Sequence, residues 1–297
     1  NYENNNFEII LGKKLLINGT KFDSTNIIKE VKSQKKKNSF LKKINKDIEI
    51  NIKKIVNNLN SEIKNFRLLG KLEKGKFIKI SSKSDFFEGK HLDISLRKIQ
   101  NSKLKTLEIY SDLTRPLLAD FSFFKGLNGG NLLFTTTYDD IESVSNLKIS
   151  NFKVKDAPGF AKLLALADLG GVADLLSGDG ISFDILEINF TKNNEILKIE
   201  ELYAVGSSIS ILMDGYVDKS GLVSLRGTMV PARELNKLIS KIPILGEILI
   251  GKEVGEGVFG VSFKIKGPPK KLETSVNPIK TLTPRFITRT LEKVKKN

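Results

Sequence analysis

Apolar and polar residues alternate one for one along much of this chain. Phe259, Val261, Phe263 and Ile265 alternate with Gly260, Ser262, Lys264 and Lys266. Ile48, Ile50 and Ile52 alternate with Glu49, Asn51 and Lys53, and Leu92, Ile94 and Leu96 with Asp93, Ser95 and Arg97. Leu107 and Ile109 repeat the pattern, as do Ile209, Ile211 and Met213. Successive side chains of a strand point to opposite faces, so each segment has one apolar and one polar face. An antiparallel sheet buried on one side reads this way; a parallel sheet buried on both sides does not.

The punctuation agrees. Asn18-Gly19, between Leu15–Ile17 and Phe22, is a hairpin signal. Further turns are expected at Glu88-Gly89-Lys90, at Lys192–Glu195 and at Asp218–Gly221. Three or four short helices are expected near the C-terminal end. Asp156 caps the first, with Pro158 near its start and Phe160, Leu163, Leu164, Leu166 and Leu169 along it. The others start at Pro231, Pro243 and Pro284. Residues 32–46 form a basic, polar loop. A composition shift near 150 divides a Lys/Asn-rich segment, 1–150, from a Gly- and Leu-richer one, 151–297.

The fold class that follows is mainly β, a long twisted antiparallel sheet. Two arrangements fit it. The apolar face is sealed in a sandwich core, or the sheet curls into an open hydrophobic groove.

Composition narrows the chemistry. The 297 residues suffice for a sizeable core. There is no Cys, which removes disulfides, thiol nucleophiles and Cys-ligated zinc. The single His, His91, removes a multi-histidine metal site and reads as a solvated strand residue. The net charge of +15 is nearly all Lys, with Arg only at 67, 97, 115, 226, 233, 285 and 289. That fits an AT-rich coding bias or an anionic partner, and it gives no Arg-rich base readout. The chain opens on Asn1, not Met. It is therefore expected to be part of something longer, with any signal or anchor outside it.

Glycine patterns do not make nucleotide sites here. Gly246-x-x-x-x-Gly251-Lys252 is followed by Glu253, where a P-loop needs a Ser or Thr hydroxyl for magnesium. Gly255-x-Gly257-x-x-Gly260 is followed by a strand, where the dinucleotide fingerprint needs a helix. No Gly-x-Ser-x-Gly occurs. The pairs Asp139-Asp140 and Glu200-Glu201 sit at turns or strand ends, and adjacent strand carboxylates face apart. No catalytic residue, metal site or cofactor is expected.

One ordered series of motifs is distinctive. It runs through Gly227–Asn236 (GTMVPARELN), Ile242–Gly251 (IPILGEILIG), Gly257–Phe263, Lys266-Gly267-Pro268 and Val276–Ile279, then Leu282, Pro284 and Phe286. Ala157-Pro158 and Leu176–Phe183 precede it in the same order. The series resembles the C-terminal region of YhdP-like members of the AsmA family, over about 152–286. The resemblance implies a periplasmic, non-enzymatic segment of a bridge-like lipid-transfer protein. It also implies anchorage to the inner membrane by an N-terminal helix absent from this chain. Phospholipid acyl chains would pass between the two membranes along the groove. The residues expected to face it are Ile94, Leu96, Phe134, Ile188, Phe190, Ile211, Leu225, Phe259, Val261 and Phe263. The last helix, with Arg285, Phe286, Arg289 and Lys293, would touch anionic lipid or cap the groove's end. Expected partners are acyl chains, with an outer-membrane or envelope protein met at the C-terminal end, and neither nucleic acid nor nucleotide. The alternatives are an envelope scaffold that binds another protein through strand edges, and a basic nucleic-acid-binding protein.

Overall fold

The computed structural model describes residues 5–24, 44–56, 62–87, 89–118, 121, 124, 126–167, 169, 172, 178–232, 260–268 and 271–279. These residues are mainly β. The first eight strands are β1 (Asn6–Leu11), β2 (Leu15–Asp23), β3 (Lys46–Val56), β4 (Glu62–Glu73), β5 (Lys76–Asp85), β6 (His91–Lys98), β7 (Lys105–Ser111) and β8 (Leu127–Tyr138). Then come β9 (Ser143–Val154), β10 (Ile181–Lys192), β11 (Ile196–Gly206), β12 (Ile209–Asp218), β13 (Val223–Pro231), β14 (Gly260–Gly267) and β15 (Glu273–Ile279). Two short helices, α1 (Arg115–Leu118) and α2 (Pro158–Leu166), are present among the described residues. All fifteen strands belong to one open sheet, in sequence order from β1 to β15.

The expected alternation and turns account for most of this. The turns expected around Gly89 and at 192–195 and 218–221 fall between β5 and β6, β10 and β11, and β12 and β13. Every adjacent pair with a defined register is antiparallel except β2 and β3, which run parallel. A parallel neighbour needs a long connection, and 22 residues separate the end of β2 from the start of β3.

The Asn18-Gly19 hairpin does not form. Both residues lie inside β2, and Gly19 pairs with Phe7 of β1. The turn lies earlier, at 12–14. Gly19 answers a close approach: a Cβ there would lie 2.5 Å from the Cβ of Phe7. Asp156 is not the helix cap either. It adopts φ +53°, and Ala157 takes the N-cap position with no side-chain hydrogen bond. The helix ends at Leu166, short of Leu169. Pro231 closes strand β13, and Ala232 directly after it is helical; the rest of the helix expected there lies outside the described residues. The helices expected from Pro243 and Pro284 lie outside the described residues, as do 32–43 of the basic loop, whose last residue, Lys46, opens β3.

The chain forms two compact units. The first comprises residues 1–121 and 130–145; the second comprises 122–129 and 146–297. In the first, Leu15, Ile48, Leu68 and Leu72 form a buried cluster, with Ile17, Ile44, Ile50, Phe66, Phe77 and Ile80 packed on it. In the second, Ile149, Leu164, Ile181, Ile209, Met229 and Val230 are fully buried. There the rings of Phe152 and Phe183 stack at 5.2 Å, and α2 lies against β15.

Candidate functional site

In the first unit, cross-strand register lines up one row of side chains over eight strands. Ile9 pairs with Ile17, Ile17 with Ile50, Ile50 with Leu68, and Leu68 with Ser82. The row continues from Ser82 to Ile94, Ile109 and Phe134. Directly paired residues share a face, and strands are about 4.8 Å apart, so the row is about 34 Å wide. Leu68 and Ser82 are buried, but Ile17, Ile50, Ile94, Ile109 and Phe134 keep part of their surface accessible. The neighbouring row, Ile48–Gly70–Ile80–Leu96–Leu107, has the same apolar character. The opposite face carries Arg67, Lys71, Lys79, Lys83, Asp93 and Arg97, and all but Asp93 are exposed.

The second unit repeats the scheme with a gradient. Ile188, Leu202, Met213, Gly227 and Phe263 form one row. Leu186, Ala204, Ile211, Met229 and Val261 form the next. A third contains Phe190, Ile199, Gly215, Leu225 and Ile265. Met229 and Val261 are sealed, whereas Phe190, Leu225 and Ile265 are half-buried. At the sealed end both faces of β11 are covered: Glu201 to Gly206 are buried without a break. The unbroken run Leu202–Val205 was the only signal of this in the sequence, and strict alternation overlooked it.

A β-bulge keeps that face continuous. In β11, Ile199 pairs with Phe190 and Glu201 with Asn189, so Glu200 is left over. From the β12 side, Ile199 meets Gly215 and Leu202 meets Met213. Without the extra residue Ile199 would point to the polar face. The Glu200-Glu201 pair therefore straddles a bulge in mid-strand, not a strand end as its sequence suggested.

The predicted groove residues fall into two sets. Ile94, Leu96 and Phe134 share the apolar face of the first unit. Ile188, Phe190, Ile211, Leu225, Val261 and Phe263 share that of the second. Leu96, Ile188, Val261 and Phe263 are buried, and Ile94, Phe134, Phe190, Ile211 and Leu225 are half-buried. Phe259, Arg285, Phe286, Arg289 and Lys293 lie outside the described residues, as do Gly246–Gly257 with both glycine motifs.

Titratable groups collect at turns. His91 is exposed, with Nδ1 3.3 Å from an Asp85 carboxylate oxygen. Hydrogen bonds from Asn65 and from His91 hold the Asp85 carboxyl below its usual range. The Tyr110 hydroxyl donates to Asp112 at 2.7 Å, and the His91 backbone N–H donates to it at 2.8 Å. These bonds hold the Asp112 carboxyl below its usual range, and its carboxylate in turn pushes the Tyr110 hydroxyl above its own. Asp139 accepts the backbone N–H groups of Ile141 and Glu142 and so closes the turn between β8 and β9. All are turn-stabilising contacts on an exposed surface. No cluster of three metal-ligating side chains occurs among the described residues. A cleft of about 660 Å³ at β1–β4 is lined by Phe7, Gly19, Ile52 and Phe66 with Asn51 and Arg67.

No known protein settles the matter. Comparison with protein-family models, with curated proteins and with solved structures gives no match. No helix among the described residues is long and apolar enough to cross a membrane.

Proposed function

We infer that this chain is a segment of a non-enzymatic lipid conduit, an AsmA-type, YhdP-like periplasmic protein whose sheet curls into a hydrophobic groove for phospholipid acyl chains. The anchor to the inner membrane lies outside the chain, and transport runs between the inner and outer membranes. The observation that carries this reading is the row from Ile17 to Phe134. Its apolar side chains other than Leu68 are half-accessible, and they follow one another across seven adjacent strands of the sheet. A sandwich core favours complete burial of such residues, so their partial exposure supports the groove. The position of α2 adds support. It begins four residues after β9, yet lies against β15, six places along the sheet. In a flat sheet that is a distance of about 29 Å, and the helix itself is about 14 Å long. Curling of the second unit's sheet brings the two together easily.

The energetics are those of simple transfer. Each CH₂ taken from water contributes about 0.8 kcal/mol, so half an acyl chain is held by several kcal/mol without a specific contact. Head groups stay in water, and movement along a uniform apolar row needs no chemical step.

The test is lipid extraction from the purified chain followed by mass spectrometry. Phospholipid is expected at near-stoichiometric amounts. Ile94→Asp and Phe134→Asp occupy accessible positions, so both should keep the β circular-dichroism signal. Each should hold about ten- to a hundredfold less lipid, as follows from losing roughly 1.5–3 kcal/mol of apolar contact. Wild-type protein that purifies and refolds lipid-free in the presence of vesicles would refute the conduit. Phe263→Asp is unsuitable here, because Phe263 is 3% exposed and the substitution would attack the fold.

A further inference from the structure

At one end of the strands, the apolar face of the first unit finishes in a row of polar residues held in register. Beyond Leu96, Leu107 and Thr136 the next row is Lys98, Lys105 and Tyr138, directly paired across β6, β7 and β8. Each member stands two residues from the row before it, so alternation keeps all three on the apolar face. Direct pairing sets neighbouring Cβ atoms about 5 Å apart. In the other direction Ile94, Ile109 and Phe134 continue the face. Ile109 lies four residues from Lys105, about 14 Å along the strand. The surface therefore passes from a cationic rim to apolar side chains over a few residues. All three strands are interior to the sheet, with a neighbour of this chain on either side.

Two members of the row have donors to spare. Lys105 and Tyr138 are half-buried, and their side chains make no hydrogen bond or ion pair among the described residues. The two acids whose charge reaches Lys105 are each engaged by another lysine: Glu73 lies 3.8 Å from Lys98, and Asp140 lies 2.6 Å from Lys76 at the start of β5. Burial, and then the like charges of Lys76 and Lys98, hold the Lys105 ammonium below its usual range, although Asp140 and Glu73 pull the other way. Burial also pushes the Tyr138 hydroxyl above its own range, so it stays protonated and donates. A partly buried ammonium is costly without an anionic partner. Here it stands beside a phenolic O–H, and apolar surface begins in the next row. That combination suits an amphiphile with a multi-oxygen anion at one end. We propose that Lys105 and Tyr138, with Lys98 beside them, seat the phosphate of a phospholipid whose acyl chains lie on the apolar rows. The seat rests on the conduit reading and adds to it the end of the strands at which head groups travel. Exposed Lys98 keeps that end at the water boundary.

The test compares two fluorescent lipids with identical acyl chains, phosphatidylglycerol and diacylglycerol, each delivered from cyclodextrin to the 297-residue chain. Phosphatidylglycerol should bind about tenfold tighter, the usual worth of one charge-assisted hydrogen bond. The Lys105→Met, Tyr138→Phe double variant should bring the ratio of the two affinities close to one. Tyr138→Phe alone, which keeps the ring and its packing, should lower the ratio part of the way, and Lys105→Arg should preserve it. The ratio is the readout because a damaged fold weakens both lipids alike and leaves it where it was. A ratio that survives the double variant would overturn the seat. So would a wild-type chain that binds both lipids equally well, and in that case the apolar rows still hold lipid and the conduit stands. Binding of neither lipid would overturn the conduit and the seat together. Palmitate that competes as well as phosphatidylglycerol would overturn the phosphate assignment in favour of a carboxylate.

Discussion

Gly227 shows how one residue sets the apolar face of the second unit. It lies in the middle of β13 and pairs with Phe263 of β14. A Cβ at this position would be 2.5 Å from the tip of the Phe263 ring and 2.6 Å from the carbonyl oxygen of Leu212. The ring could swing aside; the carbonyl belongs to the sheet and cannot. The missing side chain is therefore space that the phenyl ring occupies, and glycine is tolerated in mid-strand for that reason. Gly227→Ala should destabilise the protein by about 1–3 kcal/mol, the usual cost of overpacking, read from the urea midpoint. Trimming the ring in a Gly227→Ala, Phe263→Leu double variant should recover only part of the loss, because the Leu212 carbonyl remains. Full recovery would mean that the ring alone dictates the glycine. This pairing was only half legible in the sequence. Phe263 stood out as an inward strand residue, but a glycine that makes room for a ring looks the same as one that makes a turn. Asn18-Gly19 was misread on that account.

At the scale of elements, alternation was the reliable signal because it follows from strand geometry alone. β3, β6, β7, β12 and β14 all follow the apolar positions read from it. What alternation cannot see is anything that depends on a neighbour. The parallel pairing of β2 with β3 is a matter of which strand lies alongside, not of either strand's own pattern. The double burial of Glu201–Gly206 depends on what covers the outer face. The bulge at Glu200 depends on both flanking strands. Read as a regular strand, β11 puts Ile199 on the same face as Glu201. The bulge therefore makes a clear prediction. Deleting Glu200 removes the unpaired residue and leaves Ile199 and Leu202 on the face they already share, so the variant should fold, with a thermal midpoint within a few degrees of wild type. Inserting one alanine after Leu212 should instead unfold the second unit, because a one-residue slip sends Met213 to the polar face. Circular-dichroism melting compares the two. Equal damage from both would mean that the bulge is itself required for the twist of the sheet.

At the scale of the molecule, charge and architecture act together. The chain carries +15, and in its first unit Arg67, Lys71, Lys79, Lys83 and Arg97 stand together on the face opposite the apolar row. In the second unit several of these charges are balanced: Arg226 contacts Asp214 at 3.0 Å, Lys198 contacts Glu200 at 2.8 Å and Lys219 contacts Glu195 at 2.8 Å. The first unit has such pairs as well, among them Lys14 with Glu49 and Lys76 with Asp140, but it also sets like charges side by side. Lys71 pairs across strands with Lys79, Lys79 with Arg97, and Arg67 with Lys83. Directly opposed like charges each disfavour the sheet by roughly 0.2–1 kcal/mol. Self-repulsion of this kind is screened by salt, whose Debye length is about 10 Å at 0.1 M. The thermal midpoint should therefore rise as sodium chloride goes from about 10 to about 300 mM. Lys79→Glu converts two repulsive neighbours into attractive ones at a stroke. It should raise the midpoint at low salt, and the advantage should shrink as salt is added. A variant equally stabilised at both ends of the salt range would show that packing, not charge, was relieved. A variant less stable than wild type would show that Lys79 has an acidic partner its cross-strand neighbours do not reveal. The sign of the salt effect thus separates a face strained by its own charge from one already neutralised within the fold.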